Sequence, residues 1–176
     1  VLLLNEVDFD EAGKLIETFQ KKYLAVGQNF SQSPDGPAEP IEYSYRYFAP
    51  CNTGVASGHD LDRNGQVRSK VGSVEYGGDC WGFGQYPGQY GMVILSKYPI
   101  QTDAIRTFQN FRWQDMPGAK LPDDPDTAEP HDWYSTEVLS RFPLSSKSHW
   151  DVPIQIGEKA VHALVSHPTP PTFDGA

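Results

Sequence analysis

Two short apolar runs, each ending in a residue that can meet a ligand, constrain the fold of this chain most. Val161 to Val165 ends at Ser166-His167 before a proline-rich turn, and Val1 to Leu4 ends at Asn5-Glu6. Runs of this length are typical of buried β-strands. A carboxylate at one strand end, and an imidazole at another beside prolines that stiffen the backbone, predict metal-assisted hydrolysis.

Composition restricts the fold further. The 176 residues suffice for one domain, and 16 Gly with 15 Pro interrupt the chain too often for long helices. The formal charge of −9 argues against non-specific coating of nucleic acid, which needs a basic surface. A small phosphate ester stays possible, because a metal ion can supply positive charge locally. No apolar run reaches the roughly 18 residues that a membrane span requires.

The pattern along the chain predicts a strand over 1–6, a helix over 10–24 and a strand over 41–48. After a long Gly- and Asp-rich insertion at 50–88, the pattern predicts further elements. These are strands over 92–95 and 107–113, a short helix over 132–139, and a hairpin of 152–156 with 159–165 that turns at Gly157-Glu158. This order predicts an α/β layered fold.

Cys51 and Cys80 are the only two cysteines, and both lie in the 50–88 insertion. An even pair in loops is typical of a disulfide in an exported protein, and the alternative is two unrelated free thiols. The bond would stabilise the fold by roughly 3–4 kcal/mol in the chain-entropy model. The pair predicts a secreted or periplasmic protein.

The sequence from Asp60 to Gly65 reproduces the opening of a calcium-binding loop, with Asp60, Asp62 and Asn64 as the candidate ligands. Val71 occupies the twelfth position, where such loops carry a bidentate Glu, and Glu75 would serve only in a longer loop. Turns of this composition also occur without metal. The loop predicts a structural Ca²⁺, or else a metal-free turn.

Three stretches resemble strands of the endonuclease/exonuclease/phosphatase superfamily, the fold of DNase I. Leu2–Val7 resembles the strand whose Glu binds the divalent cation, Tyr90–Lys97 resembles an inner strand, and Val161–Pro168 resembles the strand that ends in the active-site His. Arg141–Pro153 and Ser166–Gly175 further resemble a branch of mostly uncharacterised, often exported bacterial members.

The resemblance implies a four-layer α/β/β/α sandwich with mostly antiparallel sheets. It implies that Glu6 binds Mg²⁺ or Mn²⁺ and that His167 acts beside the scissile phosphate. Lys147 and His149 could bind substrate, or could lie in a plain surface turn. The family's first strand and its last two motifs would lie outside residues 1–176, so the chain is expected to be a partial domain, inactive alone, of a monomeric protein.

The sequence therefore predicts a phosphoesterase that cuts phosphodiesters or phosphomonoesters. Its substrate could be a small molecule, a lipid headgroup or nucleic acid. Two other readings remain: a non-catalytic binding protein on the same fold, and a calcium-stabilised extracellular module. The last predicts that calcium removal unfolds the protein while no phosphoester is turned over.

Overall fold

Both β-sheets of the protein are antiparallel and three-stranded in the computed structural model, which describes residues 1–28 and 36–168. The first sheet has the order β1-β3-β2 and the second the order β4-β5-β6. The strands are β1 (Leu2–Asn5), β2 (Tyr45–Phe48), β3 (Met92–Ser96), β4 (Arg106–Thr107), β5 (His149–Ile156) and β6 (Lys159–Ser166).

Short helices join the strands. They are α1 (Lys14–Phe19), which continues as a π-helical turn over Gln20–Leu24, α2 (Val74–Gly78) and α3 (Thr136–Leu139). Single 3₁₀ turns occupy Thr102–Ala104 and Trp113–Asp115. Among the described residues, none of these helices is long and apolar enough to cross a bilayer.

Strand β3 is buried on both faces and connects two hydrophobic clusters. Met92 and Ile94 face the second sheet, whereas Val93 and Leu95 pack with Ile16 of α1. Successive side chains of a strand point to opposite faces, so one apolar strand supplies both cores. The prediction of a buried strand over 92–95 is confirmed.

The core between the sheets is built around Trp150. Its side chain is 1% exposed and packs with Val152, Ile154 and Val165 of the second sheet. The ring of Tyr47 meets the Trp150 ring edge-on, with centroids 4.9 Å apart. Trp150 is therefore the packing anchor of this core.

Over residues 1–28 and 36–168 the layers run helix, sheet, sheet, which makes an α/β fold with three of the four expected layers. Leu164 and Val161 of β6 are 76% and 50% exposed, so the described residues leave that part of the outer face open to solvent. The predicted hairpin is confirmed with its turn at Gly157-Glu158, and β5 is longer than predicted because it begins at His149.

The strand predicted over 107–113 is wrong beyond Thr107. Phe111 donates its N–H to the carbonyl of Phe108, which closes a turn, and Trp113 then begins a 3₁₀ turn. The alternating aromatic and polar residues of this stretch therefore lie mostly in turns rather than in a strand. The helix predicted over 10–24 begins at Lys14, after Asp10 accepts hydrogen bonds from the N–H groups of Lys14 and Leu15.

The two ends of the 50–88 segment are largely packed into the protein, whereas residues 62–72 are exposed. Cys51, Asn52 and Thr53 are all buried, and backbone bridges join Thr53 to Gly82 and Ala56 to Cys80. Gly82 is required by this packing, because a Cβ there would lie 2.0 Å from the carbonyl oxygen of Ser146. The buried parts of this segment therefore belong to the packed structure of the domain.

The predicted disulfide between Cys51 and Cys80 is not formed, and both are free, buried thiols. Each sulfur is engaged locally: Cys51 Sγ lies 2.8 Å from Thr53 Oγ1, and Cys80 Sγ donates to the carbonyl oxygen of Tyr76 at 3.2 Å. Burial raises the pKa of the Cys80 thiol, which keeps it protonated and unreactive. The presence of both cysteines in one segment therefore does not lead to a disulfide.

Candidate active site

Strand ends from both sheets meet at one end of the protein. Glu6 follows β1 and His167 follows β6, while Tyr90 lies two residues before β3 and Lys147 lies two residues before β5. Cys51 enters the same region after β2. Antiparallel pairing brings these positions together, because the end of one strand lies beside the start of its neighbour. The site is therefore a product of the sheet topology.

Glu6 and His167 lie side by side. Glu6 Oε1 is 3.6 Å from His167 Nε2, a separation too long for a good hydrogen bond. The Glu6 side chain is 67% exposed, whereas that of His167 is 14% exposed. A ligand that reaches the carboxylate from solvent therefore arrives next to the Nε2 atom of the imidazole.

The backbone at this end is strained. Glu6 and Tyr90 both have φ near +59°, a left-handed conformation that residues with a Cβ rarely adopt. Asp8 helps to hold it, since its carboxylate accepts the Tyr90 N–H at 3.1 Å and the Tyr86 hydroxyl at 2.6 Å. Strain of this kind costs about 1–3 kcal/mol per residue and persists at functional sites.

Lys147 is a buried cation in the same region. The Lys147 side chain is buried, and the Lys147 backbone carbonyl accepts a hydrogen bond from the Asn52 N–H at 3.0 Å. Burial lowers the pKa of Lys147, while Cys51 and Glu6 oppose this effect electrostatically. The Asn52 side chain donates to the carbonyl of Ser145 at 2.8 Å, which fixes the start of the 50–88 segment against the Lys147 segment.

The pKa of His167 is lowered, first by burial and second by the positive charge of Lys147. The Tyr90 backbone and Glu6 act in the opposite direction. His167 Nδ1 is buried and makes no hydrogen bond of normal geometry among the described residues, although the Tyr90 backbone is close enough to favour a proton on the ring. A neutral imidazole with one N–H to donate is thus the favoured state near pH 7.

His149 lies away from this group. It pairs with Ser166 across the sheet, and strand alternation puts its side chain on the face opposite to that of Trp150. The Asp151 carboxylate on the same outer face binds Arg106 and also contacts His162 Nδ1 at 2.6 Å. His162 therefore has a structural contact on the outer face. The substrate contact of His149 stays a prediction that this arrangement does not support.

An acidic cluster forms in the predicted calcium loop. Oxygen atoms of Asp60, Asp62 and Asp79 lie within 4.8 Å of one another. The amide of Asn64 instead bonds within the loop, donating to Asp62 Oδ2 at 2.9 Å and accepting from Gln66 N at 3.0 Å. Val71 and Glu75 do not belong to the cluster.

Asp79 is the member of that cluster which the sequence pattern missed. It is 2% exposed, and its carboxylate accepts the N–H groups of Leu61 and Arg68 at 2.9 and 2.6 Å. The local loop pattern gives no signal for it, because residues 63–78 intervene. Asn52 and Tyr90 were also not identified as positioning residues, because their hydrogen bonds to Ser145 and Asp8 join segments far apart in the sequence.

A family model described as "Endonuclease/Exonuclease/phosphatase family" matches residues 1–174. No curated protein and no solved structure shows a significant match to the chain.

Proposed function

The chain belongs to the endonuclease/exonuclease/phosphatase family, and from this premise we propose that the complete protein is a divalent-metal-dependent phosphoesterase. Members of the family are generally hydrolases of phosphate esters. The proposed reaction is hydrolysis of a phosphodiester or phosphomonoester bond. The observation that carries it is the pairing of Glu6 Oε1 with His167 Nε2 at 3.6 Å beside buried Lys147.

Glu6 fits the requirements of a Mg²⁺ or Mn²⁺ ligand. Its carboxylate is 67% exposed, and no N–H or O–H group of the described residues donates a hydrogen bond to it. Such ions bind through one or two protein carboxylates and keep several waters, so a solvent-exposed oxygen donor suits them. A bound ion would supply Lewis-acid stabilisation of charge on the phosphoryl oxygens.

His167 and Lys147 complete the proposed phosphate site. In the proposed complex the neutral imidazole carries its single proton on Nε2 and donates it to a phosphoryl oxygen, and the Lys147 ammonium attracts the same group by charge. Both side chains are largely buried, so their interactions with an anion are stronger than in water. The strained backbone at Glu6 and Tyr90 fixes the geometry of the site. Its proposed role is to orient the substrate.

The substrate class follows from charge. With a formal charge of −9, the chain gains little from counterion release along a nucleic acid. A small phosphate ester fits this balance best, with a lipid headgroup or extracellular nucleic acid as the alternatives. Export to the periplasm or the medium and a monomeric state stay predictions, and the free cysteines remove the disulfide argument for export.

The direct test is hydrolysis of bis(p-nitrophenyl) phosphate and p-nitrophenyl phosphate by the complete protein, with and without EDTA. We expect turnover of at least one ester, its loss with EDTA, and recovery with excess Mg²⁺ or Mn²⁺. Absence of turnover with either metal would favour the non-catalytic binding protein.

Replacing Lys147 by methionine is expected to lower kcat/KM by about 10²-fold, because one donor to the charged phosphoryl group is lost. The melting temperature should not fall, since burial already disfavours the ammonium form, as the lowered pKa of Lys147 indicates. Lys97→Met, at an exposed position, is the matched control. Wild-type kcat/KM in Lys147→Met would remove this residue from the site.

We further propose that Asp60, Asp62 and Asp79 bind a structural Ca²⁺. Millimolar Ca²⁺ is then expected to raise the melting temperature of the complete protein by about 5 °C, because an ion that binds only the folded state stabilises it. Asp62→Asn should abolish the shift, and Asp103→Asn, an exposed control, should retain it. An equal shift in wild type and Asp62→Asn would refute the site. Unfolding by EDTA without any phosphoester turnover would favour the extracellular module instead.

A further inference from the structure

Asp8, two residues after the proposed metal ligand Glu6, joins two segments that are far apart in the sequence. Its Oδ1 accepts the N–H of Tyr90 at 3.1 Å, and its Oδ2 accepts the hydroxyl of Tyr86 at 2.6 Å. The hydrogen bond to Asp8 raises the pKa of Tyr86, so this hydroxyl keeps its proton and remains the donor. Asp8 therefore uses one carboxylate oxygen for each of its two partners.

Backbone contacts bring the same two segments together. The N–H of Val7 donates to the carbonyl of Gly91 at 3.1 Å, and the N–H of Phe9 donates to the carbonyl of Gly88 at 2.8 Å. Gly91 is required by this close approach, because a Cβ at its position would lie 2.7 Å from the Val7 carbonyl oxygen. The two segments are therefore packed backbone against backbone.

The left-handed backbone at Glu6 and Tyr90 depends on such support. Residues with a Cβ stay in this conformation only where surrounding contacts hold them. Asp8 binds the N–H of Tyr90 directly and is separated from Glu6 by a single residue, so one carboxylate braces both positions. The direction in which the Glu6 side chain leaves the backbone therefore depends on Asp8.

The surroundings of Asp8 suit positioning rather than metal binding. Both of its oxygens accept hydrogen bonds, and its side chain is half-buried. The Glu6 carboxylate is 67% exposed and receives no hydrogen bond from the described residues. Carboxylates that bind a metal are commonly oriented by neighbours that do not touch the ion. Glu6 therefore has the properties of the ligand, and Asp8 has those of the residue that orients it.

We propose that Asp8 is a positioning residue that holds the Glu6 carboxylate in the orientation required to bind the cation. This inference rests on the proposed function and adds to it a residue that touches neither the metal nor the substrate. Asp8 acts through the Tyr90 N–H and the Tyr86 hydroxyl. Its effect therefore depends on hydrogen bonding rather than on its charge.

Mn²⁺ titration of the complete protein, followed by electron paramagnetic resonance, measures cation affinity without any turnover. The binding that is lost in Glu6→Gln identifies the cation held by Glu6. Asp8→Ala should weaken this binding at least about tenfold, as loss of a residue that orients a metal ligand does. Asp8→Asn should stay within about threefold of wild type, because its amide accepts the Tyr90 N–H and donates to the Tyr86 oxygen.

Tyr86→Phe tests the same contacts with a smaller change, which serves if Asp8→Ala does not fold. It removes one hydrogen bond of Asp8, and Mn²⁺ binding is expected to weaken about fivefold. Tyr98→Phe is the matched control, since Tyr98 is 45% exposed and follows the opposite end of β3. Asp103→Ala, at an exposed position, controls for the loss of one negative charge. Both controls should retain the wild-type affinity.

Wild-type Mn²⁺ affinity in Asp8→Ala, or in Tyr86→Phe if Asp8→Ala does not fold, would overturn the positioning role. Equal losses in Asp8→Asn and Asp8→Ala would also overturn it, in favour of Asp8 as a second metal ligand. The expected order of affinities without hydrolysis of any phosphoester refutes the proposed function and leaves the positioning role standing. Hydrolysis with a Mn²⁺ affinity that does not depend on residue 8 has the reverse meaning, and Mn²⁺ binding unchanged in Glu6→Gln refutes both.

Discussion

Glu6→Gln in the complete protein is expected to lower kcat/KM for a phosphodiester by about 10³-fold, equivalent to roughly 4 kcal/mol of transition-state stabilisation. The amide keeps the shape of the side chain but removes the negative charge that would hold the metal. Steady-state kinetics over a Mg²⁺ titration measures the effect, and the metal requirement should shift to higher concentration. Glu11→Gln, at another exposed carboxylate, is the control.

A second substitution at the same position separates activity from folding. Glu6 has φ near +59°, which glycine adopts freely, and its side chain is 67% exposed. Glu6→Gly should therefore lose as much activity as Glu6→Gln while the melting temperature stays equal or rises. Unchanged turnover and metal dependence in both variants would show that Glu6 has no role in the reaction.

His167→Ala is expected to lower kcat by about 10²–10³-fold with folding intact, as removal of one hydrogen-bond donor to the developing charge does in other enzymes. The imidazole contributes little to the hydrophobic core, and its Nδ1 makes no normal hydrogen bond among the described residues. Kinetics with far-UV circular dichroism measures both quantities. His162→Ala is the matched control, because that side chain is 53% exposed and contacts Asp151 on the outer face.

The pH dependence provides an independent signature of His167. Burial and Lys147 lower its pKa below the ordinary value of 6.5, so the ring gains a proton only as the pH falls below that value. A protonated ring repels a cation at Glu6, so kcat/KM should fall on the acidic side in a limb that lies below pH 6.5. This limb should be missing from His167→Ala. If His167→Ala kept the wild-type kcat and the same acidic limb of the pH profile, His167 would be excluded from the site.

The sequence predicts those parts of the fold whose determinants are local. The apolar runs over 92–95 and 161–165 are strands because β-branched and aliphatic residues fill both faces or one face of a sheet. The positions of Glu6 and His167 at strand ends also follow, since a strand end is visible as the point where the apolar run stops, whereas their proximity was expected from the family resemblance.

Features that depend on contacts between residues far apart in the sequence could not be predicted from it. Cys51 and Cys80 share a segment, but both thiols are free and their sulfurs contact Thr53 and Tyr76. Asp79 joins Asp60 and Asp62 only because the chain folds back through α2. The aromatic residues over 108–113 favour a strand by propensity, yet tertiary packing around Phe142 places Trp113 in a turn.

The central claim is that Glu6 and His167 converge on one pocket for a cation and a phosphate. Paramagnetic broadening by Mn²⁺ of the His167 ring signals, observed by NMR in the complete protein, tests it most directly. We expect substoichiometric Mn²⁺ to broaden the His167 signals in wild type and to spare them in Glu6→Gln, with the His162 signals little affected in both. His167 signals that stay sharp in wild type, or that broaden equally in Glu6→Gln, would contradict the claim.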